Sequence, residues 1–317
     1  MFEFIIAIGL FLFIVLIVTK NIKPSRSRRR QLKNEPPPGS LGISIDGQEM
    51  IQALDRALTN SYVENVKNRV LLENHKLQDY EFEWTLFELK RYFIMNSLLK
   101  SVPMFSTRVD EIWHEMLMFT RDYEKFSKSF YKEILHHTPN LESTPIPGER
   151  AFFDWVYLSL FELTSNSKEI WGGFLQNPIK RQILDDFKHL PEKDLLSKYF
   201  RKNEDWLDVK KHLITKMKNE IKQADYVKDG DRPLGTPNSM GGPQLYNYAL
   251  GAVVFYSIYE EEQFQDHMSE LMPGEYNKEP HGTGSACSGY ACSSSSDDSG
   301  GDSGGSSCSS CGGGCSS

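Results

Sequence analysis

Eighteen residues near the amino terminus, Phe2 to Thr19 (FEFIIAIGLFLFIVLIVT), carry a single charge at Glu3, after which the chain turns abruptly basic. At 1.5 Å per residue a helix of that length covers about 27 Å, close to the hydrocarbon thickness of a bilayer. A cleaved signal peptide would place its cations before a shorter apolar core and end at a small-x-small site. Here the cations follow the apolar run, so the reading is an uncleaved transmembrane anchor over residues 1–20. Lys20, Lys23, Arg26, Arg28, Arg29, Arg30 and Lys33 come with no acid among them. Basic flanks stay on the cytoplasmic side. The expectation is therefore a single-pass membrane protein with its amino terminus outside and its body in the cytoplasm. Its partners would be the lipid bilayer through residues 2–19 and anionic headgroups through Lys20–Lys33, at about 1 kcal/mol per cation.

Beyond the anchor, composition divides the chain of 317 residues. Residues 21–41, with Pro36-Pro37-Pro38-Gly39, read as a basic, Pro-rich spacer. Residues 42–272 read as a helical domain. Met50, Ile51, Leu54 and Leu58 recur at helical spacing, as do Phe82, Leu86, Leu89 and Phe93. A third helix is expected after Ser106-Thr107 and a fourth through Pro147; others are expected over 178–189, 193–201, 206–223 and 244–272. Alternating apolar and polar runs are sparse. The fold class is thus all-α, an irregular multi-helix bundle interrupted by a Gly/Pro loop at 227–243. Residues 273–317 are dominated by Gly, Ser and Asp and read as a disordered tail. The net charge of −7, with an acidic body, argues against broad nucleic-acid binding.

All five cysteines, Cys287, Cys292, Cys308, Cys311 and Cys315, lie in that tail. A body without cysteine excludes a disulfide-stapled core and fits a reducing compartment. The spacing Cys308-x2-Cys311-x3-Cys315 lets thiolates converge on a soft metal, with His281 or Cys292 as a fourth ligand. A Gly/Ser-rich tail without a task for its cysteines is the alternative.

The most distinctive stretch runs Val109-Asp110-Glu111-Ile112-Trp113-His114, followed by Tyr123 and by His136-His137. Val109, Ile112, Trp113, Met116, Tyr123, Phe126 and Phe130 form an apolar stripe. Asp110 and His114, four apart, sit one above the other on a neighbouring face. A carboxylate beside an imidazole orients it, raises its basicity or shares a metal with it. His136 and His137 join only if the chain reverses near 127–132, because a straight helix would put His136 about 33 Å from His114. The candidate pocket is Asp110, Trp113, His114, Tyr123 and His137. The alternative is structural: Ser106 or Thr107 caps the helix, Asp110 in the first turn complements the dipole, and His114 packs beside Trp113.

This stretch resembles the helical domain of the glycine-rich domain-containing protein family, with its V-D-x-x-W-H-x-H-x6-Y pattern, over residues 84–139. It is also similar to uncharacterised bacterial membrane proteins that join such a helix to a Gly/Cys-rich tail. Asp110, Trp113, His114 and Tyr123 match, while Met116 stands where that family has a second histidine. The resemblance implies the helical fold and the Asp/Trp/His signature, and it brings no reaction with it. No P-loop, nucleophile elbow, H-E-x-x-H or kinase set is present, and no cofactor is expected. The first functional reading is a membrane-tethered protein-interaction module with an unidentified protein partner. The second is an enzyme with a divalent-metal or acid/base site at Asp110 and His114.

Overall fold

A computed structural model describes residues 32–140, 147–229, 243–272 and 291–295. Twelve α-helices are present among them: α1 (Gln48–Ala57), α2 (Asn60–Glu73), α3 (Asp79–Leu98), α4 (Thr107–Met118), α5 (Thr120–Tyr131), α6 (Pro147–Leu160), α7 (Ser165–Trp171), α8 (Arg181–His189), α9 (Glu192–Tyr199), α10 (Leu207–Asp229), α11 (Pro243–Tyr259) and α12 (Phe264–Leu271). The fold is all-α apart from one small antiparallel sheet of order β1-β3-β2, made by β1 (Ser101–Pro103), β2 (Thr138–Asn140) and β3 (Ala291–Ser295).

The apolar spacing explains the hub. Helix α3 carries Phe, Leu, Trp, Tyr, Ile and Met on every face, so it is buried from Phe82 to Leu98 with few interruptions. It packs against α4, α7 and α1. Its first turn is closed by Glu81, whose carboxylate accepts the Gln78 backbone N–H at 3.2 Å. Burial on all sides also encloses two charges, Glu88 and Arg91, both without solvent exposure. Glu88 accepts hydrogen bonds from Tyr157 Oη (2.7 Å), Trp171 Nε1 (2.7 Å) and Ser167 Oγ (2.6 Å). Arg91 donates to the Leu41 carbonyl (2.9 Å), the Glu162 carbonyl (3.0 Å) and Tyr157 Oη (2.6 Å), with its guanidinium over the Phe87 ring. Gly42 has φ +56°, and a Cβ there would stand 2.7 Å from Arg91 Nη2, so both backbone conformation and close approach require glycine.

A second buried cation sits on α10. Lys210 donates from Nζ to the Arg201 carbonyl (3.1 Å), the Asn203 carbonyl (2.9 Å) and Asn203 Oδ1 (2.7 Å). Lost hydration pushes its ammonium down to about 8. The unfolded chain keeps that proton up to roughly pH 10.4, so between these values the unfolded state binds more protons. Stability attributable to Lys210 therefore rises with pH through that window, while below it both states are charged. Denaturant titrations of wild type and Lys210→Met at pH 7 and pH 9.5 should show the balance moving toward wild type by about 1 kcal/mol or more at the higher pH. A constant difference would contradict this.

Several expectations need correction. No helix among the described residues is long and apolar enough to cross a membrane. The longest strongly apolar helix, α3, holds Asp79, Glu81, Glu83, Glu88, Lys90 and Arg91, and α11 has only 17 residues. The expected anchor at Phe2–Thr19 and the basic stretch up to Gln31 lie outside the described residues. The single-pass placement with a cytoplasmic body is accordingly not retained. The Pro-rich spacer also extends too far. Leu32 and Leu41 are buried, Trp84 Nε1 donates to the Glu35 carbonyl at 2.6 Å, and the Lys33 N–H donates to Asn166 Oδ1 at 2.7 Å. Backbone hydrogen bonds and two leucines dock that segment despite its prolines. In the tail, Ala291–Ser295 forms a strand; the rest of residues 273–317, with Cys308, Cys311, Cys315 and His281, lies outside the described residues.

Candidate functional site

Helix α4 begins at Ser106, whose Oγ accepts the Val109 N–H at 3.3 Å and whose hydroxyl donates to the Ile170 carbonyl at 2.7 Å. That double anchor fixes the first turn, and with it Asp110, against α7. The helix stops at Phe119, with φ −91° and ψ 61°, so the apolar stripe from Val109 to Phe130 is divided between α4 and α5. Lys132, in the left-handed region at φ 65°, ends α5 and turns the chain back. This is the reversal the sequence required near 127–132, and it brings His137 onto α4.

The five pocket residues are brought together. His137 Nε2 lies 3.1 Å from Asp110 Oδ1, and His114 Nδ1 lies 3.4 Å from Asp110 Oδ2. The two imidazoles meet at a centroid separation of 4.4 Å. One donor atom from each of Asp110, His114 and His137 falls within 4.8 Å of the others. His136, by contrast, is exposed to solvent.

Trp113 and Tyr123 hold this arrangement from behind. The Trp113 ring, wholly buried, meets His137 edge-on at 4.3 Å. Trp113 Nε1 donates to Tyr123 Oη at 3.1 Å, and the Tyr123 hydroxyl donates to the Leu135 carbonyl at 2.6 Å. Tyr123 therefore ties the segment carrying His137 to both helices. Burial pushes its phenol up to about 12, so the donated proton is retained through neutral pH. His114 Nδ1 lies 3.0 Å from the Asp110 carbonyl oxygen. A proton on Nδ1 donates there and leaves Nε2 as the lone-pair donor.

These separations have a chemical meaning. With metal–donor distances near 2.0–2.2 Å, neighbouring donors stand about 3.0 Å apart in octahedral and about 3.4 Å apart in tetrahedral coordination. The His137 Nε2–Asp110 Oδ1 separation of 3.1 Å falls on the first of those values, while the 3.4 Å contact of His114 is made by Nδ1, the nitrogen that faces the Asp110 carbonyl, and is not a ligand spacing. Exposure is graded: the His137 and Asp110 side chains are 5% and 11% exposed, that of His114 50%, so the cluster opens on the His114 side.

Residues 49–144 match a family model described as UCP032817-like. The match spans α1 to the region just past β2 and includes all five pocket residues; it covers under a third of the chain. It corrects the resemblance drawn from the Asp-x-x-Trp-His stretch, because the family matched is this uncharacterised one and not the glycine-rich domain-containing proteins. Met116, the point of departure from that pattern, is buried in the core. No curated protein and no solved structure matches the chain.

The Glu88–Arg91 pair is not apparent from apolar spacing alone. Its signal was present: two opposite charges three apart inside a helix whose apolar residues leave no polar face for them.

Proposed function

We propose that this chain binds a divalent transition-metal ion through Asp110, His114 and His137. The observation that carries the reading is the convergence of one carboxylate and two imidazoles from two separate chain segments within 4.8 Å. Two nitrogens and one oxygen form a borderline donor set, suited to zinc, cobalt, nickel or ferrous iron over calcium or magnesium. The contact between His114 Nδ1 and the Asp110 carbonyl supports it too, since metal-bound histidines are steered by neighbouring carbonyls. Trp113 and Tyr123 act as positioning residues, and Asp110 lies in the first turn of α4, where its negative charge is also favoured by the helix dipole.

Equilibrium dialysis of the full-length protein against zinc and cobalt, with all five tail cysteines changed to serine, tests the reading. One equivalent bound at micromolar or tighter affinity is expected, and no saturable binding would overturn it. Tyr123→Phe removes the hydroxyl that anchors Leu135 without touching a ligand. It should weaken metal binding by about 10-fold, in the range seen for supporting residues of metal sites. A purely structural tyrosine would lower stability and leave affinity unchanged.

A further inference from the structure

The three donors leave room on one side. No fourth side chain of His, Cys, Asp or Glu type joins Asp110, His114 and His137 among the described residues. The inner side is closed by the Trp113 ring against His137, while the His114 side chain, half exposed, borders solvent. Transition metals of this class take four to six ligands, and centres with three protein donors complete the set from solution. A divalent ion beside one carboxylate and two neutral imidazoles also keeps a net charge of +1, so the open side favours an anion over a neutral molecule. Two further carboxylates on α4, Glu111 and Glu115, do not join the donor set. Glu111 follows Asp110 by one residue, about 100° around the helix, and is exposed; Glu115 is paired with Arg69.

We infer that the occupied centre binds a small anion directly on the metal, in exchange for water, on the side bordered by His114. This rests on the metal reading above. It makes the centre a ligand-binding or reactive site instead of a closed structural one.

The test loads the full-length protein with cobalt or manganese and uses acetate as the probe. Manganese should raise the water-proton relaxation rate through a metal-bound water, and acetate should reduce that enhancement saturably. The cobalt visible spectrum should shift over the same acetate range. Dialysis of the same samples must show that the metal stays bound. Failure of the protein to bind either metal would count against the metal reading itself. Metal bound without an exchangeable water, or spectra unmoved by acetate, would overturn this inference and leave the metal reading standing. A cobalt–thiolate charge-transfer band that vanishes when the tail cysteines become serine would place a tail cysteine in the open position and would overturn it too. His137→Ala should abolish the relaxation signal and the cobalt spectrum together.

Discussion

Replacing His114 with alanine is expected to lower divalent-metal affinity by at least about 100-fold while changing unfolding free energy by no more than about 0.5–1 kcal/mol. The asymmetry follows from geometry. The side chain is half exposed, so its removal opens no core cavity, yet it supplies one of three donors. His137→Ala should lose as much affinity but also cost about 1–2 kcal/mol, because the ring packs edge-on against Trp113. Asp110→Asn keeps the shape and removes the charge; affinity should fall comparably, with about 0.3–1 kcal/mol lost from the helix-dipole interaction. A structural Asp–His pair would behave differently, with small stability changes and no metal-affinity change in any of the three variants. Dialysis and denaturant titration of the same preparations separate the two.

The second large effect is at the hub. Arg91→Met should destabilise the protein by about 3–5 kcal/mol, because it strands a buried carboxylate. Glu88 would keep Tyr157, Ser167 and Trp171 as donors but lose the guanidinium beside it, and the Leu41 and Glu162 carbonyls would lose their donor. Glu88→Gln retains an acceptor oxygen and should cost less, about 1–3 kcal/mol. The double variant Glu88→Met/Arg91→Met should cost less than the sum, since the uncompensated charge is gone and only neutral donors and carbonyls stay unpaired. Denaturant unfolding with an unchanged slope gives all three numbers. A loss below about 1 kcal/mol for Arg91→Met would mean that water or rearrangement resolves the stranded charge.

Helices whose apolar residues recur at three and four positions were legible: α1, α3, α4 and α6 appear close to where periodicity placed them. Helix α2 was not, because only Tyr62, Val66 and Val70 are buried and the residues between them, Val63 apart, are polar. Periodicity also ran straight through Phe119. A stripe that continues in phase across a one-residue break carries no mark of the break, so α4 and α5 read as one helix. The helix expected over 244–272 likewise divides at Glu260, where the chain turns through a 3-10 segment (Glu261–Gln263) before α12. Asp110 and His114 could be paired from their spacing alone. Joining them to His137 needed the left-handed turn at Lys132, which a lysine does not announce. Glu88 and Arg91 were hidden because helical charges are read as solvent-facing, whereas α3 exposes only a narrow strip at Asp79, Glu83 and Lys90.

The most direct test is anomalous diffraction at the zinc edge from crystals of the zinc-loaded full-length protein. A peak is expected about 2.0–2.2 Å from a carboxylate oxygen of Asp110 and from one ring nitrogen each of His114 and His137. Zinc found elsewhere, with Asp110 still hydrogen-bonded to His137 and no peak between them, would contradict the proposed site.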